Sequence, residues 1–192
     1  MSASTISNLP AGEAIVLLSG GLDSAACTHL LGHAGWSVRG LFLAYGQAAT
    51  EPERRAARDV AAHLGINLSE LTVTGRANFA AGELIGRNAF FVFAALLTER
   101  ITRGVIVLGV HAGTPYYDCS PAFVDATDRL MAEHTDGRVR LLAPLIAWSK
   151  ADVLAYCREA RIPPALTYSC EAGSVPVCGR CASCRDRAAL GC

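Results

Sequence analysis

A short apolar run at residues 14–18 stops at Ser19-Gly20-Gly21-Leu22-Asp23-Ser24, and a helical pattern follows. No other segment constrains the fold as tightly. So short an apolar run reads as a buried strand, and two adjacent glycines let it turn directly into a helix. The first N–H groups of a helix have no partner inside it, so such a turn can cradle an anion. Ser19, Ser24 and the Asp23 carboxylate sit in the same loop. Hydroxyls and a carboxylate beside free N–H groups suit pyrophosphate and a magnesium ion. The plainer alternative is an ordinary strand–turn–helix link, because Gly-Gly and Ser occur in many turns. The loop lacks the Gly-Lys-Ser/Thr of a Walker A motif and the spacing of Gly-x-Gly-x-x-Gly.

The pattern of that first unit recurs along the chain. Strands are expected at 14–18, 38–44, 67–73, 105–109 and 140–142, and helices at 24–34, 51–64, from Asn88 onward, at 121–134 and at 149–160. Gly35 and Gly65 close the first two helices, and Pro52 suits the first turn of the second. Ser149-Lys150-Ala151-Asp152 resembles a capping box. Phe90, Phe91 and Phe93 make the third helix apolar on most sides, so it is expected to be buried, with its aromatics in the core. Strands alternating with helices predict an α/β fold, a doubly wound parallel sheet with helices on both faces. Ligands of such sheets bind beyond the carboxyl ends of the strands. The loop at 19–24, Tyr45-Gly46-Gln47 and residues 111–119 all fall at such ends, so three segments converge on one crevice.

The domain reading is a loose tail at 1–12, a nucleotide-binding domain at 13–165 and a metal-binding segment at 166–192. The chain of 192 residues has zero formal net charge, which argues against a nucleic-acid partner. No secretory leader is visible at the N-terminus, and the longest apolar run, 89–97, falls short of the ~20 residues needed to span a bilayer. The expected location is the cytoplasm, with no membrane partner. Eight cysteines in that setting point to metal or catalysis rather than disulfides.

Four of those cysteines fall within fifteen residues: Cys170, Cys178, Cys181 and Cys184. Four thiolates complete a tetrahedral, closed, structural zinc site. An iron–sulfur cluster is the alternative, although no Cys-Pro follows in the ferredoxin manner. Cys192 is a weaker candidate ligand, and Arg180, Arg185 and Arg187 can balance thiolate charge.

Taken together, these segments resemble the 7-cyano-7-deazaguanine synthase family of the ATP pyrophosphatase superfamily. The resemblance runs from residue 14 to about residue 190. It rests on the loop at 19–24, Tyr45-Gly46-Gln47, Gly86-Arg87-Asn88, Asp118-Cys119 with Phe123 downstream, and the motif from Ser169-Cys170 to Cys184. Ala143-Pro144-Leu145-Ile146 and Ser149-Lys150 fit the same pattern. The resemblance implies an adenine nucleotide alpha hydrolase-like fold that adenylates 7-carboxy-7-deazaguanine with ATP and couples it to ammonia, giving the nitrile through an amide. It implies ATP, magnesium and structural zinc as cofactors, with zinc on Cys170, Cys178, Cys181 and Cys184. Nucleotide contacts fall on Leu18, Ser19, Gly20, Gly21, Leu22, Asp23, Ser24, Tyr45 and Gln47. Ser19, Asp23, Ser24, Arg87 and Lys150 carry the catalysis. The deazaguanine acid meets Gly86, Arg87, Asn88, His111, Tyr117, Asp118 and Cys119. A homodimer is compatible with this reading.

Each residue also has a plainer reading. Asn88 serves equally as a helix N-cap, Lys150 as a first-turn surface lysine, Cys119 as a small buried residue and His111 as a pocket wall. The chain also departs from the family pattern. Leu84-Ile85-Gly86-Arg87-Asn88 follows a shortened segment, Gly113-Thr114-Pro115-Tyr116-Tyr117-Asp118-Cys119-Ser120 lacks an acidic residue and an arginine, and Glu171 replaces a tyrosine. The nucleotide and metal motifs are intact while the acceptor segments differ. A diverged ligase is therefore the first alternative. It would stop at an amide or join the acid to another amine, such as a protein amine. A tRNA thiolase is the second alternative, and a nucleotide-binding regulatory module with a degenerate site the third.

Overall fold

The computed structural model describes residues 12–75, 79 and 84–192. The proposed tail at 1–12 lies outside these except for Gly12. The order of elements is β1 (Glu13–Leu17), α1 (Leu22–His33), β2 (Ser37–Ala44), α2 (Thr50–Leu64), β3 (Asn67–Thr72), α3 (Arg87–Thr98), β4 (Gly104–Val107), α4 (Pro121–His134), β5 (Val139–Leu142), α5 (Lys150–Glu159) and α6 (Ala182–Ala189). Short 3₁₀ turns occupy Tyr117–Cys119 and Pro164–Leu166.

The five strands form one parallel sheet in the order β3-β2-β1-β4-β5. β1 alternates its side chains between two cores. Ala14 and Val16 join Ala25, Ala26, Val60 and Leu154 on the face covered by α1, α2 and α5. Ile15 and Leu17 join Val92, Phe123 and Met131 on the face covered by α3 and α4. Period-two alternation in a strand buried on both sides explains why its sequence reads as continuously apolar. The chain reverses direction across the sheet between β1 and β4, so the loops leaving these two strands part there and open a crevice. Gly109 keeps that crevice tight: a Cβ added to it would lie 3.0 Å from the Ser24 backbone nitrogen.

Local signals set the helix ends. Gly65 ends α2 in the left-handed region (φ 67°). Ser149 and Asp152 form the full reciprocal capping box at α5. α3 corrects an expectation. Only its Asn88, Val92 and Ala95 are buried, while Phe90 is 47% and Leu97 80% exposed. One face of α3 packs on the sheet and no described element covers the other. Phe91 packs partly buried against the core as expected, and with the exposed Phe90 it lines a cavity at the ends of β2 and β3.

Candidate active site and metal centre

The loop at 19–24 is built to leave donors free. Gly21 caps α1 without any side-chain hydrogen bond, so no side chain occupies the helix N-terminus. Gly20 adopts φ +81°, and a Cβ there would lie 2.7 Å from the Ala57 nitrogen and the Glu53 carbonyl. Only glycine lets the loop sit this close to α2. The Ser19 and Ser24 hydroxyls meet at 3.2 Å, and Ser24 Oγ donates to the Gly21 carbonyl at 3.1 Å.

Lys150, the first residue of α5, reaches across to this loop and donates to Asp23 Oδ2 at 2.5 Å. The other carboxylate oxygen, Asp23 Oδ1, is buried and has no hydrogen-bond partner among the described residues. An unpartnered anionic oxygen beside a free helix N-terminus fits a hard cation such as magnesium. Lys150 supplies the positive charge that a polyphosphate at the same place requires.

The turn after β2 is tied by its own side chain. Tyr45 N–H donates to Gln47 Oε1 at 2.9 Å, and Gln47 Nε2 donates to the Leu43 carbonyl and to Glu53 Oε2. Burial pushes the Glu53 carboxyl above its ordinary range, with Gln47 and Arg87 opposing. Burial also raises the Tyr45 phenol, and the Arg87 guanidinium beside it pulls the other way. Glu53 thus belongs to the crevice, although it was not among the residues singled out in the sequence. Its only signal there is its place in the first turn of the helix after Gln47, where a glutamate looks like an ordinary surface residue.

The third group forms around the start of α3. Gly86 is the N-cap, at φ +81°, so Asn88 does not cap the helix. Asn88 lies one position inside α3, where its amide donates to the Asp118 carbonyl at 3.0 Å and its backbone N–H to Asp118 Oδ2 at 3.3 Å. Asp118 therefore caps α3 from the 3₁₀ turn. Arg87 Nε donates to Asn88 Oδ1 at 3.4 Å. Burial and the Asp118 carboxylate push the Cys119 thiol up to about 11. A thiol so raised is neutral near pH 7 and is not a nucleophile.

Between Tyr45 and Arg87 lies a cavity of about 520 Å³, lined also by Val73, Phe79, Leu84 and Phe91. Two expected residues stand apart. Tyr117 is 65% exposed, its ring edge-on to Phe123. His111 turns its Nδ1 to the neighbouring Ala112 carbonyl at 2.6 Å.

The cysteine segment gathers its sulfurs as expected. The Sγ atoms of Cys170, Cys178, Cys181 and Cys184 all lie within 4.8 Å of one another. Sulfurs bound to zinc at ~2.3 Å stand roughly 3.8 Å apart, so the cluster needs little contraction. Backbone N–H groups of Cys178, Cys181 and Cys184 each donate to a preceding sulfur. Although burial opposes it, hydrogen bonds from the Cys178 N–H, Ser174 and the Ala172 backbone hold the Cys170 thiol down to about 5, while burial and the adjacent sulfurs push Cys184 up to about 12. A divalent cation removes that conflict, and the all-sulfur donor set fits zinc.

Cys192 packs against the apolar core instead of joining the cluster. Glu171 accepts from the Ser183 backbone and hydroxyl, bracing the metal loop against α6. Arg187 does not serve the thiolates; it donates to the Pro164 and Thr167 carbonyls and ties the tail to the preceding turn.

The described family of queuosine biosynthesis protein QueC matches residues 13–88 and 82–190, nearly the whole chain. The chain belongs to the QueC family. A 7-cyano-7-deazaguanine synthase of Methanospirillum hungatei is 31% identical over 203 residues, covering 91% of this chain and 92% of the relative. One of Synechococcus elongatus is 36% identical over 205 residues, covering 91% and 88%. Among solved structures, the U34-tRNA thiolase NcsA of Methanococcus maripaludis is similar at TM-score 0.47 and 14% identity, covering 79% of this chain and 57% of that one. In this QueC-family chain no described helix is long and apolar enough to cross a membrane.

Proposed function

We propose that this chain adenylates the carboxylate of 7-carboxy-7-deazaguanine with ATP and couples it to ammonia, yielding 7-cyano-7-deazaguanine by way of the amide. The observation that carries the proposal is the uncapped start of α1 with Asp23 held by Lys150 and one carboxylate oxygen left free, in a chain of the QueC family. A carboxylate resists nucleophiles because it is anionic. Adenylation removes the charge and provides a leaving group, and the departing pyrophosphate needs donors and positive charge at one place. Ser19, Ser24, the α1 N–H groups and Lys150 supply them. Magnesium, when bound, neutralises phosphate charge beside Asp23. Leu18, Gly20, Gly21 and Leu22 shape the loop, with Tyr45 and Gln47 on the nucleotide side.

Arg87, Asn88 and Asp118 form the acceptor end. The Arg87 fork suits a carboxylate, and the Asp118 carboxylate suits the paired N–H donors of a guanine-like edge. Gly86 holds Arg87 at the mouth of the cavity, and Cys119 lies behind Asn88 and Asp118.

The test is a product assay by mass. The zinc-loaded protein is incubated with 7-carboxy-7-deazaguanine, ATP, magnesium and ammonium. The expected products are the nitrile with AMP and pyrophosphate from two successive adenylations, the second of which turns the amide oxygen into a leaving group for dehydration. Absence of any turnover would overturn the proposal. An amide that accumulates, or turnover only with another amine, would assign the chain to a diverged ligase instead.

A further inference from the structure

The cysteine loop touches both loops of the crevice. From its start, Tyr168 N–H donates to the Gly20 carbonyl at 2.9 Å, inside the anion cradle. Gly21 faces the Tyr168 carbonyl, which would lie 3.8 Å from a Cβ there. From within the loop, Gly173 lies on the turn after β2. A Cβ at Gly173 would stand 2.1 Å from the Ala48 carbonyl oxygen and 3.0 Å from Ala49 Cα. Gly173 also has φ +68°, so both its backbone and its space exclude other residues.

The two contacts are rigidly joined through the ligands. Gly173 N–H donates to the Cys170 carbonyl at 3.0 Å, and the Tyr168 hydroxyl donates to the Ser174 carbonyl at 2.9 Å. Cys170, between them, is 1% exposed and holds one corner of the sulfur cluster. The Ser169 hydroxyl between Tyr168 and Cys170 is buried without a partner among the described residues.

We infer that the metal-bearing loop is a clamp on the nucleotide site: Tyr168 and Gly173 are positioning residues, and metal loading sets the affinity for ATP. The inference rests on reading the loop at 19–24 as the pyrophosphate loop. A metal that only stapled the tail would stabilise residues 166–192 and leave the crevice unchanged. A clamp fixes the Gly20 carbonyl and the Ala48 turn, so its release frees donors whose orientation the ligand would otherwise find prepared.

ATP binding to the full chain is measured by calorimetry in three states: zinc-loaded, stripped with a chelator under reducing conditions, and zinc-loaded Gly173→Ala. Backbone hydrogen exchange is followed in parallel without nucleotide. Stripping weakens ATP by about tenfold or more, the equivalent of one well-oriented hydrogen bond. Gly173→Ala weakens it similarly while still holding zinc. In both, exchange rises at 18–24 and 46–50 while β1 and β4 stay protected. Should Gly173→Ala fail to fold, Tyr168→Phe loosens the same loop by removing the hydroxyl that donates to the Ser174 carbonyl, while the Tyr168 backbone N–H still meets Gly20. Equal ATP affinity in loaded and stripped protein, with unchanged exchange at 18–24, overturns the clamp. Failure of the loaded wild-type chain to bind ATP overturns the pyrophosphate-loop reading instead, and the exchange data then decide the clamp alone.

Discussion

Lys150 and Asp23 stand 127 positions apart in the chain and meet at 2.5 Å over the start of α1. Neither side chain is free in solvent, at 26% and 21% exposure. Breaking a partly buried pair leaves the survivor with an unmet charge, so the two substitutions should not add. Lys150→Met and Asp23→Asn are each expected to lower kcat/KM by about 10²-fold, a typical loss for one electrostatic donor at a reacting phosphate. The double variant should be little worse than either single one. Full additivity in a double-mutant cycle on kcat/KM would show that the two residues act separately.

Asn88 links α3 to the 3₁₀ turn, and at 4% exposure it has no water to replace its bonds. Asn88→Ala leaves the Asp118 carbonyl without this amide. It is expected to cost about 1–3 kcal/mol, read as a lower urea midpoint with an unchanged slope. Because Arg87 leans on Asn88, KM for the acid should rise more than KM for ATP. A variant with wild-type stability and selectively raised KM for ATP would refute this placement.

Much of the fold is legible because its signals are local. Apolar runs such as 14–18 end at glycines, and the Ser149–Asp152 capping box marks the start of α5. The cysteine spacing likewise places four sulfurs together. What sequence reading misses depends on contacts made at a distance. The apolar pattern of α3 resembles that of a buried helix, but a pattern cannot say what covers it, and Phe90 and Leu97 remain uncovered by described elements. α6 carries little apolar pattern; its start is set by the Cys181 thiol and by Glu171 reaching Ser183. For Asn88 the sequence leaves an N-cap and a substrate-site role open, and Gly86 is seen to take the cap. For Lys150 the sequence leaves a phosphate-facing and a surface role open, and only the folding of α5 against α1 sets it on Asp23.

Cys119 is a neutral thiol in the folded chain, its ionisation opposed first by burial and then by Asp118, to about 11. Iodoacetamide at pH 8 should leave it unmodified in the native protein and label it on unfolding, as mapped by peptide mass. Cys119→Ala should retain most activity, since the thiol is 9% exposed and contributes packing rather than chemistry. Rapid native alkylation at Cys119, or loss of adenylation in the alanine variant with its fold intact, would reverse this assignment.

Glu53 forms no salt bridge among the described residues, yet burial lifts its pKa. A raised folded value means that the protonated form is favoured by folding. Its contribution to stability is therefore complete below the ordinary glutamate value and is lost as pH rises through the raised one. Glu53→Gln removes that titration and keeps an acceptor for Gln47 Nε2. The melting temperature of the variant should vary less with pH across this window, and above it the variant should be at least as stable as the wild type. Activity should move the other way. Without the carboxylate, Arg87 loses a facing negative charge and the Tyr45–Gln47 turn its anionic anchor, so kcat/KM is expected to fall by about tenfold, the consequence of losing one charged contact. Such opposed changes are what a desolvated carboxylate retained for function produces. A variant with wild-type activity and an unchanged pH–stability curve would remove Glu53 from the working residues of the crevice.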